Sequence, residues 1–552
     1  MKTELDNKSG DNNSAGHSRR RFLRGVAGTA VLTVAAAETS LAQSPVPAQT
    51  PAGDRQSRAE RALRLRQQAA QSQRKLPTLP QPNNGDEDVY ANRIGCYSKA
   101  LPHNELGVVD SRAYQALLQA VTTCAHSDYE MIPLGGSVKL ANPQAAMAFQ
   151  LEGGDPHQFA LVAAPRFNSA EQAAEMAELY WQAVTRDVAF AEYDSNPLVK
   201  QAAEDLSKFS AFGGPKSGKR VSPATLFRAA TQGDLIGPYL SQFLWLDVPY
   251  GALKMQQRYR VPEAENDQMT DYDEWLRVVS GHAPSFGLSF DETPRYLRNG
   301  RDLAEWVHRD FSYQGFLNAA LILLGYGQPA IDPYNPYLAS ATQDGFSTFG
   351  APYILDLVAR VANAALKAAW YQKWQVHRRI RPEEFGGHLH NQMSELAEYD
   401  IHAELLTSPV LEIVYNQQES YLLPMAYAEG CPTHPAYPAG HATIAGACTT
   451  VLKAFFNENF VLPKPVTVGE NGLSPESYHG ASLTVGGELN KLASNIALGR
   501  DAAGVHWRSD STEGLKLGEA VAISILTDLK ATCHEQFRGL RLTRFDGTTV
   551  IV

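Results

Sequence analysis

Cysteine is scarce in this chain, and the scarcity excludes one way of building a stable protein. The sequence has five cysteines among 552 residues, an odd number that specifies no disulfide framework. No pair has the spacing of metal ligands, and a single bridge between Cys96 and Cys124 stays open. Stability is therefore expected from one large apolar core or two smaller ones, for which 44% hydrophobic residues at this length suffice.

An excess of basic charge is also absent. Lys and Arg number 49 against 59 Asp and Glu, which gives a net charge of -10. Because phosphate binding by charge needs a basic face, nucleic acid is not expected as a partner. Basic residues that matter for function must therefore act locally.

Apolar runs long enough to span a bilayer are missing as well. A short apolar run at 26–37 follows Arg19-Arg20-Arg21 and precedes the small-residue stretch Ser40-Leu41-Ala42. This pattern resembles a twin-arginine export signal. We therefore predict that residues 1–42 are a removable signal and that the mature protein is periplasmic or secreted, without a membrane span.

The rest of the chain divides by composition. Residues 43–88 are rich in Pro, Gln, Arg and Asn and predict a flexible linker or N-terminal arm, with a short helical candidate near 58–71. Beyond them, apolar residues recur at helical spacing, so we predict a mainly α protein of helical bundle architecture, with two four-helix bundles. The predicted regions are 89–340, with helical stretches at 169–191 and 302–324, and 341–552, which carries the site.

Basic and imidazole side chains recur at short intervals in the second region. The motifs are Lys373 with Arg381-Pro382, His434 with Pro438-Ala439-Gly440-His441, and Arg500 with His506. A tetrahedral oxyanion needs cationic and backbone donors around its oxygens. Pro382 ends the preceding helix at Arg381, and Gly440 opens a helix whose first amides can point at an anion. The motifs predict an oxyanion site tied to one imidazole.

Polar residues close to these motifs in the sequence can each be interpreted in two ways. The cluster His377-Arg378-Arg379 favours a solvated basic helix face over ligands. Asp510, four residues after His506, is either the N-cap of the next helix or an orienting partner of the imidazole. The look-alike Ser280-Gly281-His282 lacks the proline before it and the apolar helix after it, so we do not expect it at the site.

The ordered motifs resemble the vanadium-dependent haloperoxidases, which share a helical core and an oxyanion site with the type 2 phosphatidic acid phosphatase superfamily. Their spacings, eight from Lys373 to Arg381 and seven from His434 to His441, look like the bromoperoxidase branch. The resemblance implies one vanadate per subunit, bonded to the protein through His506 alone. The groups implied around its oxygens are Lys373, Arg381, Arg500 and the Gly440 amide.

The same resemblance implies a reaction. His441 would be the general acid and base, Lys373 would polarise bound peroxide, and His434 would shape halide access or proton transfer. The implied partners are hydrogen peroxide, bromide or iodide, and a small organic acceptor that hypohalous acid halogenates. A homo-oligomer is implied too. Trp370 and Trp374 are candidates for the pocket wall, with ordinary core packing as the alternative.

One position departs from the family pattern. Ala439, among the residues predicted to adjoin the vanadate, stands where the family usually has a serine whose hydroxyl donates to the anion. We therefore expect weaker or retuned vanadate binding. Two other functions stay open. One is a periplasmic acid phosphatase with His506 as nucleophile and His441 protonating the leaving group, and the other is an anion-binding relative without turnover.

Overall fold

A computed structural model describes residues 55–552. The predicted export signal at 1–42 lies outside the described residues. Helices account for most of the regular structure. The first eight are α1 Arg55–Arg74, α2 Asp86–Val89, α3 Ser111–Thr123, α4 His126–Glu130, α5 Ala170–Val184, α6 Pro197–Leu206, α7 Tyr272–Val279 and α8 Gly300–Arg309.

The remaining helices contain most of the predicted site. They are α9 Gln314–Gly325, α10 Ala351–Tyr371, α11 Pro382–Met393, α12 Ala403–Leu406, α13 Pro409–Gln418, α14 Gly440–Phe455, α15 Val485–Ala502 and α16 Arg508–Lys530. A π-helical turn, Gln372–His377, continues α10. Short 3₁₀ turns occur at Pro143–Met147, Pro156–Gln158, Phe190–Glu192, Gln242–Leu244 and Gln328–Ala330.

Strands are short and pair only in twos within residues 55–552. The antiparallel pairs are β1 Val248–Tyr250 with β2 Leu253–Met255, β3 Val466–Val468 with β4 Pro475–Ser477, and β5 Arg541–Thr543 with β6 Thr549–Ile551. In the first pair Val248 lies opposite Met255, in the second Val466 opposite Ser477, and in the third Arg541 opposite Ile551. The prediction of a mainly α protein is confirmed.

The apolar helix faces form two principal core clusters. The first joins α8, α9, α10, α14, α15 and α16 through residues such as Leu303, Phe316, Ile354, Val451 and Leu492. The second joins α5, α6, α7, α11 and α13. Each cluster uses more helices than four, and the first draws on both sides of position 340. The division predicted there stays a prediction.

Two predicted helical stretches differ from the observed helices. The stretch at 169–191 ends as α5 at Val184, and the stretch at 302–324 is interrupted between α8 and α9. The interruption occurs because Asp310, after the last turn of α8, has an extended backbone with ψ of 144°. Apolar spacing alone does not reveal such a break, and this one places a carboxylate beside the site.

The predicted N-terminal arm contains an exposed helix, and its C-terminal end packs against the rest of the chain. The helical candidate near 58–71 lies within α1, none of whose side chains is buried. Further along, Asp86 is buried, and its carboxylate accepts a hydrogen bond from the Phe167 amide at 2.9 Å. The boundaries predicted for this arm stay predictions. No helix among residues 55–552 is long and apolar enough to cross a membrane.

The bridge between Cys96 and Cys124 is absent, since all five cysteines carry free thiols. Cys96 is buried in a small third core cluster, whereas Cys124 ends α3 and its thiol donates to the Val121 carbonyl.

Candidate active site

Lys373 enters the site from the π-helical turn. Its side chain is fully buried, and Nζ donates to the carbonyls of Pro435 at 2.7 Å and Ala436 at 2.8 Å. Burial, together with the nearby charge of Arg381, lowers the pKa of Lys373 well below its usual value. Both carbonyls belong to the segment before Gly440, so Lys373 connects the end of α10 to the start of α14.

Arg381 lies just before a helix, as the following Pro382 predicts. It precedes α11 with an extended backbone, and its side chain is completely buried. Its Nε donates to the His434 carbonyl and its Nη2 to His434 Nδ1, both at 2.8 Å. Its Nη1 donates to the Val505 carbonyl at 2.5 Å and lies 3.1 Å from His506 Nε2. One guanidinium therefore contacts both predicted imidazoles.

His506 follows the turn that was predicted between α15 and α16. Gly504 has a φ of +81°, and a Cβ there would lie 3.0 Å from Met425 Sδ, so both backbone and packing favour glycine. His506 Nδ1 donates to Asp510 Oδ2 at 2.9 Å, which leaves Nε2 as the acceptor facing Arg381. Burial, with Arg381 and then Lys373, lowers the pKa of His506 well below its usual value.

Asp510 was predicted to be either a helix N-cap or the orienting partner of His506, and the structure distinguishes the two roles. The N-cap of α16 is Trp507, and Asp510 lies in the first turn, where its Oδ2 accepts from the Trp507 amide and from His506. Asp510 is therefore the orienting partner of the imidazole. A carboxylate in that position fixes the ring and the nitrogen that carries the proton.

Arg500 comes from the last turn of α15, one turn before the glycine bend. Its Nη1 donates to the Val307 carbonyl at 2.8 Å and to the Tyr427 hydroxyl at 3.1 Å, and its guanidinium lies over the Tyr427 ring. Its Nε is buried and has no hydrogen-bond partner among the described residues. A buried donor without an acceptor is costly, so the position suits an anionic ligand.

Gly440 begins α14, and its N-cap Ala439 has no side-chain oxygen to accept from the helix. The first backbone bond of the helix runs from the Thr443 amide to the Ala439 carbonyl, so the Gly440 and His441 amides are terminal donors. A Cβ on Gly440 would lie 3.5 Å from Leu366 and Trp370, an ordinary contact. Packing does not demand glycine here, whereas close approach of a ligand to the backbone would.

His441 is partly exposed, and its Nε2 lies 2.9 Å from Asp310 Oδ1. Asp310 is buried in the break between α8 and α9. Sequence spacing does not reveal this carboxylate, because it precedes His441 by 131 positions. The sequence carries no signal for it, because apolar spacing does not reveal the break in which it lies.

The remaining imidazole and the two tryptophans differ in environment. His434 is buried with its ring 4.8 Å from that of Trp370, and burial with Lys373 and Arg381 lowers the pKa of His434 well below its usual value. Trp370 is half-buried beside Gly440, and its place in a pocket wall stays a prediction. Trp374 is fully buried against Tyr97, which is core packing.

The prediction of a solvated face at 377–379 is wrong. His377 and Arg379 are buried, and Arg378 is paired with Glu87 at 2.6 Å. The physical reason is the π-helical turn followed by Arg378 with a φ of +39°, which directs the segment inward. The look-alike Ser280-Gly281-His282 follows α7, and Ser280 is 3.4 Å from His103 instead of a site residue, as expected.

The donor set fits an oxyanion such as vanadate. Lys373, Arg381 and Arg500 are buried near one another. Asp510 is the carboxylate whose negative charge favours the protonated form of Lys373. Buried positive charge without a counter-charge costs several kcal/mol. A tetrahedral anion would offset that cost and also provide an acceptor for Arg500 Nε.

Comparison with known proteins agrees with this site. The family described as the VCPO second helical-bundle domain matches residues 355–535. The vanadium-dependent bromoperoxidase of Corallina pilulifera is 35% identical, over 91% of this chain and 99% of the relative. The enzyme of that name from Ascophyllum nodosum is 36% identical, over 86% of this chain and 90% of the relative.

A solved structure extends the similarity to the whole fold. The homohexameric structure of the second vanadate-dependent bromoperoxidase from Ascophyllum nodosum superimposes with a TM-score of 0.86 at 29% identity. The match covers 96% of this chain and 95% of that one. The chain belongs to the vanadium-dependent bromoperoxidase family and is a haloperoxidase.

Proposed function

We propose that this enzyme holds one vanadate per subunit at His506 and uses hydrogen peroxide to oxidise bromide or iodide to hypohalous acid, which halogenates a small organic acceptor. The observation that carries the proposal is the approach of three buried cations to a neutral imidazole, with His506 Nε2 free of a proton and facing Arg381. When bound, vanadate supplies a Lewis acid that activates peroxide without changing its own oxidation state.

The chain's residues have separate roles in this proposal. Lys373, Arg381, Arg500 and the Gly440 amide neutralise the oxygens of the anion, and Ala439 adjoins it without a hydroxyl. His506 would provide the single bond from the protein to the metal. Because each cation donates mainly to backbone carbonyls or a hydroxyl, its positive charge remains available to the ligand.

Proton transfer belongs to His441. Asp310 accepts from Nε2, which leaves Nδ1 as the ring nitrogen that exchanges a proton with incoming peroxide. The overall reaction balances as hydrogen peroxide, halide and one proton giving hypohalous acid and water, so a proton source is required in each turnover. Lys373 polarises the peroxide, and His434 with Trp370 forms the wall beside which halide enters.

The test is a paired assay on purified protein. Wild type with orthovanadate, hydrogen peroxide and each halide is expected to halogenate an organic acceptor, and His506→Ala is expected to lose this activity. His282→Ala, at an exposed position after α7, is the control and should retain it. Hydrolysis of a chromogenic phosphate ester without vanadate, and no halogenation with it, would indicate the phosphatase alternative. Silence in both assays would indicate an anion-binding relative.

We also propose that the mature chain is periplasmic or secreted and forms a homo-oligomer. Export is supported by the twin-arginine pattern in the sequence. Assembly is supported by the homohexameric relative and by two exposed apolar side chains, Phe149 at 78% and Leu151 at 94% exposure. Light scattering on the processed protein tests assembly, and a mass of one subunit would contradict it.

A further inference from the structure

Arg379 lies behind the site and contacts none of the groups assigned to vanadate. Its guanidinium is buried and donates through Nη1 to Asp510 Oδ1 at 2.7 Å. The other oxygen of the same carboxylate, Oδ2, accepts from His506 Nδ1 at 2.9 Å. Arg379, Asp510 and His506 therefore form one continuous row of hydrogen bonds that ends at the proposed metal ligand.

The guanidinium is fixed from its other side by α5. Nη2 donates to Gln172 Oε1 at 2.7 Å and to Glu175 Oε2 at 2.9 Å. Glu175 also accepts from the Ser509 amide at 2.7 Å, so the same carboxylate holds the first turn of α16. Since the side chains of Gln172, Glu175, Arg379 and Asp510 are buried, the orientation of Asp510 is determined by the protein and not by solvent.

We propose that Arg379 is a positioning residue that acts through Asp510 to set the tautomer of His506. The inference rests on the proposed function in assigning Nε2 to vanadate. With Oδ1 held by Arg379, Asp510 can present only Oδ2 to the imidazole, and an acceptor there keeps the proton on Nδ1. The lone pair on Nε2 is then available to the metal. The opposite tautomer carries a proton on Nε2 and cannot bond it.

A second contact makes this role specific to arginine. The Cζ atom of the guanidinium lies 5.1 Å from the centroid of the Trp507 ring, while its two terminal nitrogens reach α5 and α16 at once. A lysine has one nitrogen and cannot supply the same paired geometry. Arg379→Lys is therefore expected to leave the charge in place but to release the orientation of Asp510.

The experiment measures the His506 tautomer in vanadate-free protein by ¹⁵N NMR with labelled histidine, assigning His506 by comparison with His506→Gln. Wild type is expected to carry the proton on Nδ1. Arg379→Lys should contain a detectable fraction with the proton on Nε2, and its vanadate affinity should fall about tenfold, roughly the loss of one good hydrogen bond. Affinity is measured by equilibrium dialysis, which does not depend on turnover.

Arg508→Lys is the matched control. Arg508 is also buried, begins α16 and pairs with Glu178 of α5, but it does not contact Asp510. It should keep both the wild-type tautomer and the wild-type affinity. An equal loss in both variants would mean a general packing effect and would overturn the inference, as would unchanged tautomer and affinity in Arg379→Lys.

Two further measurements decide the question if Arg379→Lys does not fold. A proton on Nε2 in wild-type protein would overturn the inference, and so would an unchanged tautomer in the nearly isosteric Asp510→Asn. Failure of the proposed function looks different, because wild type would then bind no vanadate. The tautomer measurements, made without vanadate, would still judge the role of Arg379.

Discussion

At the scale of single residues, the three cations proposed to hold vanadate differ from two neighbouring arginines in their hydrogen-bond partners. Lys373 and Arg381 donate to backbone carbonyls, and Arg500 to a carbonyl and a hydroxyl. In contrast, Arg379 and Arg508 pair with carboxylates. Carbonyls orient a cation without cancelling its charge, so the first set keeps an attraction for an oxyanion that the second has lost.

Ala439→Ser is expected to raise vanadate affinity about tenfold, because a hydroxyl at this position could donate to the anion. The same hydroxyl would be the missing N-cap of α14, which typically stabilises a helix by about 1 kcal/mol. Equilibrium dialysis measures the first effect, and unfolding without vanadate measures the second. A gain in stability with unchanged affinity would show that the hydroxyl acts only as a cap.

Asp310→Asn is expected to lower kcat about tenfold or more while changing vanadate affinity little, because Asp310 contacts His441 and none of the three cations. Steady-state halogenation and dialysis measure the two quantities. Asp110→Asn, at the N-cap of α3, is the control, since asparagine caps a helix about as well as aspartate. Parallel losses of affinity and kcat would contradict a role confined to proton transfer.

At the scale of elements, the distance between α14 and α16 places the terminal amides of Gly440 and His441 relative to His506. At two positions these helices approach so closely that only glycine fits. A Cβ on Gly518 would lie 1.9 Å from the Thr443 carbonyl oxygen, and one on Gly446 would lie 2.1 Å from that of Leu515. Neither contact can relax by rotating a side chain, because both meet backbone atoms.

Gly518→Ala should therefore push the two helices apart. We expect a loss of about 1–3 kcal/mol in stability, as overpacking typically costs, and weaker vanadate binding because the two halves of the site separate. Gly469→Ala is the control, since a Cβ there would meet nothing within 4 Å. Thermal unfolding and dialysis test both effects. If Gly518→Ala were as stable as Gly469→Ala, the packing between α14 and α16 would be able to accommodate the extra methyl group.

At the scale of the whole molecule, the site lies where the two core clusters meet. Ala439 and Ala442, beside the terminal amides, belong to the first cluster. Val505 and Trp507, beside His506, belong to the second. A ligand held by residues from both clusters would link them and offset the repulsion among the buried cations.

Removing vanadate is expected to destabilise the protein. A ligand that binds only the folded state at a hundred times its Kd adds about 2.7 kcal/mol, so melting temperature should rise with vanadate concentration. Nitrate at equal ionic strength is the control anion, and His506→Ala should show little of the rise. A rise of equal size with nitrate would indicate general screening of charge instead of a specific site.

Local sequence predicted much of the site, and distance along the chain explains what it missed. Pro382 predicted the extended Arg381, Gly504 the turn before His506, and the apolar stripe the helix after Gly440. The roles of Asp310 and Arg379 could not be predicted, because the partner of each lies 131 positions away in the sequence. Apolar periodicity also could not show the inward turn of 377–379 or the break after α8.

The sequence by itself determined the mainly α fold, the family, and the cations and imidazoles that come together, because these depend on residue type and short-range spacing. The tertiary structure decided which side chains are buried, which arginine meets a carboxylate and which a carbonyl, and which nitrogen of His506 carries no proton. Those outcomes depend on helices packing across long separations. Charge in a buried site is set by the neighbours that packing supplies.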